Sequence, residues 1–268
     1  GRVFSVEDEH GTIAEGMPVV REGNVRAWVS IMYGCNNFCS YCIVPYVRGR
    51  ERSREPQCII DDVRQLAAEG YKEITLLGQN VNSYGKDLET PWDFADLLRE
   101  LDKIEGDYLI RFMSSQPKDA TPKLFDTMAR SRHVAHQLHL PVQSGCDRVL
   151  RAMNRPYDRA KYLELITYAR KVMPDLVLTS DVIIGFPGET EAEAMETVEL
   201  VRQVDSGMTI HDFRVVPGPS HTNLIFDAVL PFGEHITEAE AARQIRERVR
   251  QMDGGEYYAV VTVENPYV

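Results

Sequence analysis

The sequence predicts an α/β protein built on parallel strands, and two observations lead to this prediction. From residue 27 to residue 204, short apolar segments alternate with longer amphipathic ones, the pattern of repeated strand–helix units. Polar or glycine-rich sequence follows each of the five predicted strands, and in a barrel these strand ends form one shared mouth. We therefore expect a partial (βα)6 barrel over residues 27–204 and a small α+β segment over residues 205–268.

The five predicted strands are short, apolar and rich in β-branched residues. They are AWVSIMY (27–33), EITLLG (73–78), LIRFMS (109–114), AHQLHLP (135–141) and LVLTSDVIIGF (176–186). Parallel strands joined by right-handed crossovers either close into a barrel or open into a doubly wound sheet. Polar residues at all five strand ends favour the barrel.

Helices are predicted between the strands from their capping residues. A threonine precedes a proline at Thr90 and at Thr121, which predicts an N-cap followed by the first helical residue. Capping-box spacing occurs at two further threonines, Thr190 with Glu193 and Thr237 with Glu240. Two glycines, Gly70 and Gly106, lie where helices are expected to end.

Composition limits the class of protein. The formal net charge of −11 has the wrong sign for a surface that binds nucleic acid throughout, so any RNA contact must be local. Five cysteines, three of them clustered, do not form a disulfide framework, and no apolar run is long enough to span a membrane. We expect a cytoplasmic protein. Residues 1–26 begin with Gly1 and are polar, which predicts a linker from a missing upstream domain.

Three cysteines lie within eight residues: Cys35, Cys39 and Cys42. They can present three thiolates to one centre and leave one coordination position without a protein ligand. A closed zinc site would need a second cysteine or histidine pair, and the other cysteines, Cys58 and Cys146, are isolated. The spacing therefore favours an iron–sulfur centre with one open iron.

Four sequence blocks carry a family resemblance: SIMYGCNNFCSYCIVPYVRGRERSR, LLGQNVNSYG, HLPVQSGCDRVLRAMNR and TSDVIIGFPGETE. The cysteine loop, with Tyr41 before its last cysteine, resembles that of radical S-adenosylmethionine enzymes. Together the blocks resemble the tRNA methylthiotransferases that modify isopentenyladenosine beside the anticodon. Methylthiotransferases of a ribosomal protein and of threonylcarbamoyladenosine share the cysteine loop, but GQNVNSYG is most similar to the isopentenyladenosine type.

The resemblance implies cofactors and their ligands. A 4Fe-4S cluster on the three cysteines would bind S-adenosylmethionine at its open iron, and one electron would release a 5'-deoxyadenosyl radical that abstracts hydrogen from the substrate. The resemblance assigns the remaining cofactor contacts to one residue beside the cluster and to three strand ends. These contacts are Tyr41, then Gly78, Gln79 and Asn80 at the methionine end, Ser144 and Asp181 at the ribose and amino groups, and Ile184 to Pro187 beside adenine.

Several of these assignments have a structural alternative. Gly185, Pro187 and Gly188 also suit a turn that ends a strand before a helix. The alternating arginines Arg48, Arg50, Arg52 and Arg54 are either a solvated loop or contacts to RNA phosphate. His136 and His139 share one face of an apolar strand, where satisfied core histidines are more common than ligands.

The resemblance also implies partners: the tRNA anticodon loop and a reducing electron donor. The intact family members have an amino-terminal domain with a second cluster and a carboxyl-terminal RNA-binding domain, and we expect neither in these 268 residues. We therefore expect this chain to bind a cluster and cleave S-adenosylmethionine without completing methylthiolation.

Residues 205–268 resemble a different family, the ferredoxin-like cytosolic domain of cation diffusion facilitators, with residues 189–204 as a shared helix. That resemblance implies dimerisation and a metal site at His211 and Asp227, although Asn265 stands at the expected acidic position. It supports an alternative function, a metal-responsive dimerisation module fused to an inactive core. In another interpretation, TIHDFRVV (209–216) is the sixth barrel strand.

Overall fold

A computed structural model describes residues 13, 15–16, 21, 23–89, 91–204, 214–217, 222–229, 240, 242–243, 246–247, 250 and 257–264. The chain divides into two compact units. The first contains Gly1–Pro141 and Ala152–Ser180, and the second contains Val142–Arg151 and Asp181–Val268. The predicted domain limits at residues 26 and 204 stay predictions.

The described residues of the first unit hold seven strands and most of the helices. Its strands are β1 (Arg26–Ser30), β2 (Met32–Tyr33), β3 (Arg52–Ser53), β4 (Glu73–Leu77), β5 (Leu109–Phe112), β6 (Gln137–His139) and β7 (Val177–Thr179). The helices up to residue 172 are α1 (Val44–Arg48), α2 (Pro56–Ala68), α3 (Phe94–Leu101), α4 (Pro122–Arg130), α5 (Asp147–Ala152) and α6 (Arg159–Val172). Of these, α5 belongs to the second unit except for its last residue, Ala152.

The parallel strands follow one another in chain order. β1, β4 and β5 form one parallel sheet in that order, and β6 pairs in parallel with β7. A parallel bridge between Ile110 and Val134 continues the order from β5 toward β6. A doubly wound sheet would reverse the strand order. The sequential order confirms the barrel-type α/β fold.

The core of this unit lies between the strands and the helices that cover them. β1 alternates between the buried Ala27 and Val29 and the exposed Trp28, as a strand with one buried face must. α3 buries Leu97, Leu98 and Leu101 completely. Each such side chain stabilises the fold by about 1.5–3 kcal/mol relative to an exposed one.

Of the four helix starts predicted from the sequence, two agree with the structure, one does not, and one lies outside the described residues. Thr121 caps α4 as predicted, since its hydroxyl accepts a 3.2 Å hydrogen bond from the Leu124 amide. The start predicted at Pro91 is wrong: α3 begins at Phe94 because Asp93 and Asp96 form a reciprocal capping box there. Thr90 and Thr237 lie outside the described residues.

The second unit contains a helix and a separate three-stranded sheet. The helix α7 (Glu191–Val204) begins at the predicted capping box, where Thr190 and Glu193 bond each other's backbone amides. β8 (Arg214–Pro217) pairs antiparallel with β9 (Thr222–Val229), and β10 (Tyr257–Glu264) pairs parallel with β9. Helical residues lie between β9 and β10.

This pairing corrects one interpretation. β8 joins β9 and not the parallel strands of the first unit, so Arg214 to Pro217 do not form a sixth barrel strand. The described residues contain five of the six expected parallel strands. None of the helices in the described ranges combines the length and apolar character needed to cross a membrane.

Candidate active site

The cysteine loop starts just after β2 at a strained glycine. Gly34 has a φ of +77°, and a Cβ there would lie 2.0 Å from the Arg50 carbonyl oxygen. Its amide donates a 2.7 Å hydrogen bond to Oε1 of Gln79, and the Cys35 amide donates to the Gly49 carbonyl. Gln79, predicted to contact cofactor, therefore anchors the loop at the carboxyl end of β4.

All three loop cysteines are free thiols in partly or fully buried positions. The Cys42 amide donates a 2.9 Å hydrogen bond to the Cys39 carbonyl, which places both residues on one turn. The side-chain amide of Asn37 lies 3.3 Å from the Cys35 sulfur. Burial raises the pKa of Cys35 and of Cys39, and repulsion between neighbouring thiolates adds to both increases. The three sulfurs therefore belong to one electrostatic site.

The three cysteine thiols suit an iron–sulfur cluster better than a single metal ion. Ligands of tetrahedral zinc converge on one ion at about 2.3 Å for sulfur. Within the described residues, no three His, Cys, Asp or Glu side chains converge in that way. A 4Fe-4S cluster spreads its thiolates over several irons, so three free thiols spaced along one loop fit it.

A second segment, residues 152–155, holds the cysteine loop in place; we call it the latch. The Asn154 side-chain amide donates to the carbonyls of Phe38 and Asn37, at 2.8 and 3.2 Å. Ser40 donates twice to the latch, from its amide to Met153 (3.1 Å) and from its hydroxyl to Ala152 (3.0 Å). Sequence reasoning missed the latch, although AMNR lies inside one of the blocks that carry the family resemblance.

Arg155 places a cation beside the cysteines. Its guanidinium donates a 2.6 Å hydrogen bond to the Tyr41 hydroxyl and lies 5.8 Å from the Tyr41 ring centre and 6.0 Å from that of Tyr157. This charge opposes the effect of burial on the pKa of Cys39. Tyr41 thus bonds a residue that the prediction did not include, and its predicted contact with the cofactor stays a prediction.

The ends of β4 and β5 meet through polar contacts. The Val81 amide donates to the Ser114 carbonyl at 3.2 Å, and the Asn80 side chain donates to Asp119 at 2.7 Å. Gly78 has a packing reason to be glycine, because a Cβ would lie 2.6 Å from Cγ of Met32.

Buried polar atoms without a hydrogen-bond partner concentrate at the same strand ends. They belong to Asn80, Asn82, Ser115 and Gln116, each at least nine-tenths buried. Buried polar atoms are normally partnered, so unpartnered ones concentrated here are typical of a site that binds a polar ligand. Asn82 and Gln116 had not been predicted.

The remaining cofactor candidates lie in the second unit. Ser144 is completely buried, and its hydroxyl accepts from the Cys146 amide and bonds Thr197, which is a packing role. The Asp181 carbonyl accepts from the Gln143 amide. Ile184 is half-buried and Pro187 exposed. The turn between them is closed by Glu189, whose carboxylate accepts from the Gly185 and Phe186 amides.

The four alternating arginines do not form one surface. Arg48 and Arg50 are exposed, and the Arg50 guanidinium lies 4.7 Å above the Phe38 ring. Arg52 is half-buried in β3. The phosphate contact predicted for Arg54 is wrong, because Arg54 is buried and pairs with Glu15 and Asp62.

The remaining histidines and the residues predicted to bind metal in the tail complete the comparison with the sequence. His136 bonds Asp175 at 2.7 Å and His139 bonds the Thr179 hydroxyl at 2.9 Å, consistent with structural histidines. His211 and Asn265 lie outside the described residues, and for Asp227 only the backbone in β9 is described. The metal site of the tail stays a prediction.

A parallel α/β fold with three free thiols on the loop after β2 defines an iron–sulfur enzyme of the barrel class. A family model for the Radical SAM superfamily matches residues 29–201. The chain belongs to the radical SAM superfamily, and membership implies a 4Fe-4S cluster and S-adenosylmethionine as cofactors.

Two proteins with the same assigned activity are similar to this chain over most of its length. The chain is 55% identical over 210 residues to the tRNA-2-methylthio-N(6)-dimethylallyladenosine synthase of Carboxydothermus hydrogenoformans, covering 78% of this chain and 48% of that protein. It is 54% identical over 199 residues to the protein of that name from Desulforamulus reducens, covering 74% and 44%. The chain thus spans about half the length of these relatives.

Solved structures share the fold at low identity. The radical S-adenosylmethionine methyltransferase TsrM from Kitasatospora setae aligns with a TM-score of 0.58 and 18% identity, over 72% of this chain and 38% of that one. Coproporphyrinogen III oxidase from Escherichia coli aligns with a TM-score of 0.50 and 17% identity, over 68% and 42%. At these identities the similarity supports the fold alone.

Proposed function

We propose that this chain is the radical SAM core of a tRNA methylthiotransferase that modifies N6-dimethylallyladenosine beside the anticodon. The observation that carries the proposal is the cysteine loop after β2, in a chain 55% identical over 210 residues to the tRNA-2-methylthio-N(6)-dimethylallyladenosine synthase of Carboxydothermus hydrogenoformans. The tRNA anticodon loop and an electron donor are the partners that this function requires.

Each part of the site has a role in this proposal. Cys35, Cys39 and Cys42 would hold the cluster, and Gly34, Gln79 and Asn154 would hold the loop that carries them. When bound, the cluster and S-adenosylmethionine supply a radical that removes hydrogen from an unreactive C–H bond. The protein's own residues orient these groups and keep water away from them.

The polar strand ends would bind the polar parts of the cofactor or the substrate. Asn80 is only 1% exposed and already donates to Asp119, so its unpartnered Oδ1 is held in a fixed position. Asp119 is itself paired with Lys86, which fixes the position of that carboxylate. A preorganised acceptor of this kind selects for a ligand N–H group. The backbone of Gly78 and the residues Ser144, Asp181, Ile184 and Pro187 remain candidates for further cofactor contacts.

One surface of the first unit suits RNA. Directly after the cysteines, Ile43 (65%) and the α1 residues Tyr46 (73%) and Val47 (66%) are exposed beside Arg48. The Tyr46 ring packs edge-on against Phe38 at 5.7 Å, which fixes its orientation. Unpaired RNA bases stack on aromatic side chains and arginines contact phosphate. The chain has a net charge of −11, so RNA contact must be local, and this small surface is where we place it.

The cluster is tested by anaerobic reconstitution with iron and sulfide. We expect a brown protein with bound iron and sulfide that releases 5'-deoxyadenosine from S-adenosylmethionine on reduction. Cys39→Ala should lose both properties, whereas Cys58→Ala, a cysteine on α2 outside the loop, should keep them. A cluster that survives Cys39→Ala would contradict the assignment.

The substrate is tested with an anticodon stem–loop RNA carrying dimethylallyladenosine. In a binding titration, Tyr46→Ala should weaken affinity about tenfold, in line with the ~1–3 kcal/mol of a stacked base. Tyr46→Phe should restore it, and the exposed Trp28→Ala on β1 serves as the matched control. Equal weakening by Trp28→Ala, or methylthiolation of a different nucleotide by the intact enzyme, would contradict the proposal.

A further inference from the structure

The cation beside the cysteines has a fixed position. Arg155 is tied to the Tyr41 hydroxyl by a 2.6 Å hydrogen bond and lies over the rings of Tyr41 and Tyr157. It is half-buried, so solvent screens its charge less than that of an exposed arginine such as Arg48. Its Nε is buried and has no acceptor among the described residues.

The latch determines which thiol this charge faces. Asn154, the neighbour of Arg155, bonds Phe38, and Ser40 bonds Met153, so the residues on both sides of Cys39 are attached to the latch. Tyr41, the residue before Cys42, receives the Arg155 hydrogen bond. The guanidinium is therefore fixed at Tyr41, which lies between Cys39 and Cys42 in the chain, and its charge acts on Cys39.

We propose that Arg155 is a positioning residue that raises the reduction potential of the cluster held by Cys35, Cys39 and Cys42. The inference rests on the proposed function for the presence of the cluster. One-electron reduction by an external reductant lowers the cluster charge by one unit, and a nearby cation stabilises the more negative state. Arg155 therefore makes the electron transfer that starts the reaction more favourable.

Other charged residues near the loop allow the direction of the change in reduction potential to be tested. Glu51 bonds both nitrogens of Asn36, next to Cys35, and is a local anion. The charge of Lys118 lowers the pKa of Cys39, as that of Arg155 does. The Lys118 ammonium, however, lies 3.9 Å from the Asp119 carboxylate, which offsets its charge. Removing the charge of Glu51 should therefore shift the potential in the direction opposite to that of removing Arg155.

The experiment is a redox titration of the reconstituted protein, followed by electron paramagnetic resonance of the reduced cluster, without tRNA. Arg155→Gln should make the midpoint potential more negative, Arg155→Lys should keep it near that of the unmodified protein, and Glu51→Gln should make it less negative. Arg48→Gln, an exposed arginine on α1, is the matched control. Iron content and circular dichroism are measured on each variant.

Each outcome decides the question. An unchanged potential in Arg155→Gln, or an equal shift in Arg48→Gln, overturns the proposal. A second result supports the proposal: Arg155→Gln loses the cluster, while Arg155→Lys loads it fully and keeps an unchanged potential. The positive charge at this position is then what the cluster requires. Loss of the cluster in both variants with native circular dichroism overturns it and leaves Arg155 a structural role. Absent methylthiolation with a shifted potential contradicts the proposed substrate and not this inference.

Discussion

The side-chain amide of Asn154 donates a 2.8 Å hydrogen bond to the carbonyl of Phe38, and both residues have a positive φ, +58° and +46°. Non-glycine residues rarely adopt this conformation, and it persists where surrounding contacts enforce it. Here two such residues, 116 positions apart, stabilise each other. The bend at Phe38 lies between Cys35 and Cys39, so the latch shapes the loop that carries the cysteines.

The latch should determine how firmly the cluster is held. We predict that Asn154→Ala loses iron several-fold faster to a chelator than the unmodified protein, because the Phe38 and Asn37 carbonyls lose their donor. Asn154→Gly also loses the donor but tolerates the positive φ, so it separates the two effects. Equal iron release from all three proteins would show that the latch has no such role.

Gly34 and Gly70 form a matched pair of glycines. Both have positive φ, +77° and +87°, but a Cβ on Gly34 would meet the Arg50 backbone, whereas nothing lies within 4 Å of one on Gly70. Gly70→Ala should lower the free energy of unfolding by about 1 kcal/mol, the cost of the left-handed conformation. Gly34→Ala should cost clearly more and abolish cluster loading. Denaturant unfolding measures the first effect and iron content the second.

Arg54 should act on stability and not on RNA binding. Replacement by Met leaves Glu15, Asp62 and the Ser30 carbonyl without their buried donor. We expect a loss of about 2 kcal/mol, within the range for unsatisfied polar groups. Arg48→Met, on an exposed site, should change stability by less than about 0.5 kcal/mol. If Arg54→Met lost RNA affinity but kept full stability, the result would support a contact between Arg54 and RNA phosphate.

Alkaline unfolding should report on Tyr108. Burial, with Asp102 nearby, raises the pKa of Tyr108 to about 12, and its hydroxyl bonds the Leu101 and Ile104 carbonyls. An unfolded tyrosine titrates near pH 10, so the contribution of Tyr108 is complete below that pH and is lost as the pH rises toward about 12. Tyr108→Phe should show a shallower loss over this window. An identical pH dependence in both proteins would contradict the assignment.

The sequence by itself determined the class of fold, the parallel strands and the three cysteines. These features depend on patterns of a few neighbouring residues: apolar runs of strand length, caps such as Thr121, and the spacing of Cys35, Cys39 and Cys42. Such patterns reflect local backbone geometry, which a short stretch of chain specifies without its surroundings. The start of α3 is also specified locally, by the capping box of Asp93 and Asp96, which the prediction at Pro91 did not take into account.

Tertiary structure alone decided which side chains surround the cysteines. Gln79 bonds Gly34 across 45 positions, and Arg155 bonds Tyr41 across 114. Arg48 and Arg54 look alike in the alternating arginine run, yet one is exposed and the other is buried with Glu15 and Asp62. Contacts of this kind depend on where strands end and how separate segments meet, and no local spacing encodes that. The sequence predicted the three cysteine ligands, and the fold decided which charges and hydrogen bonds surround them.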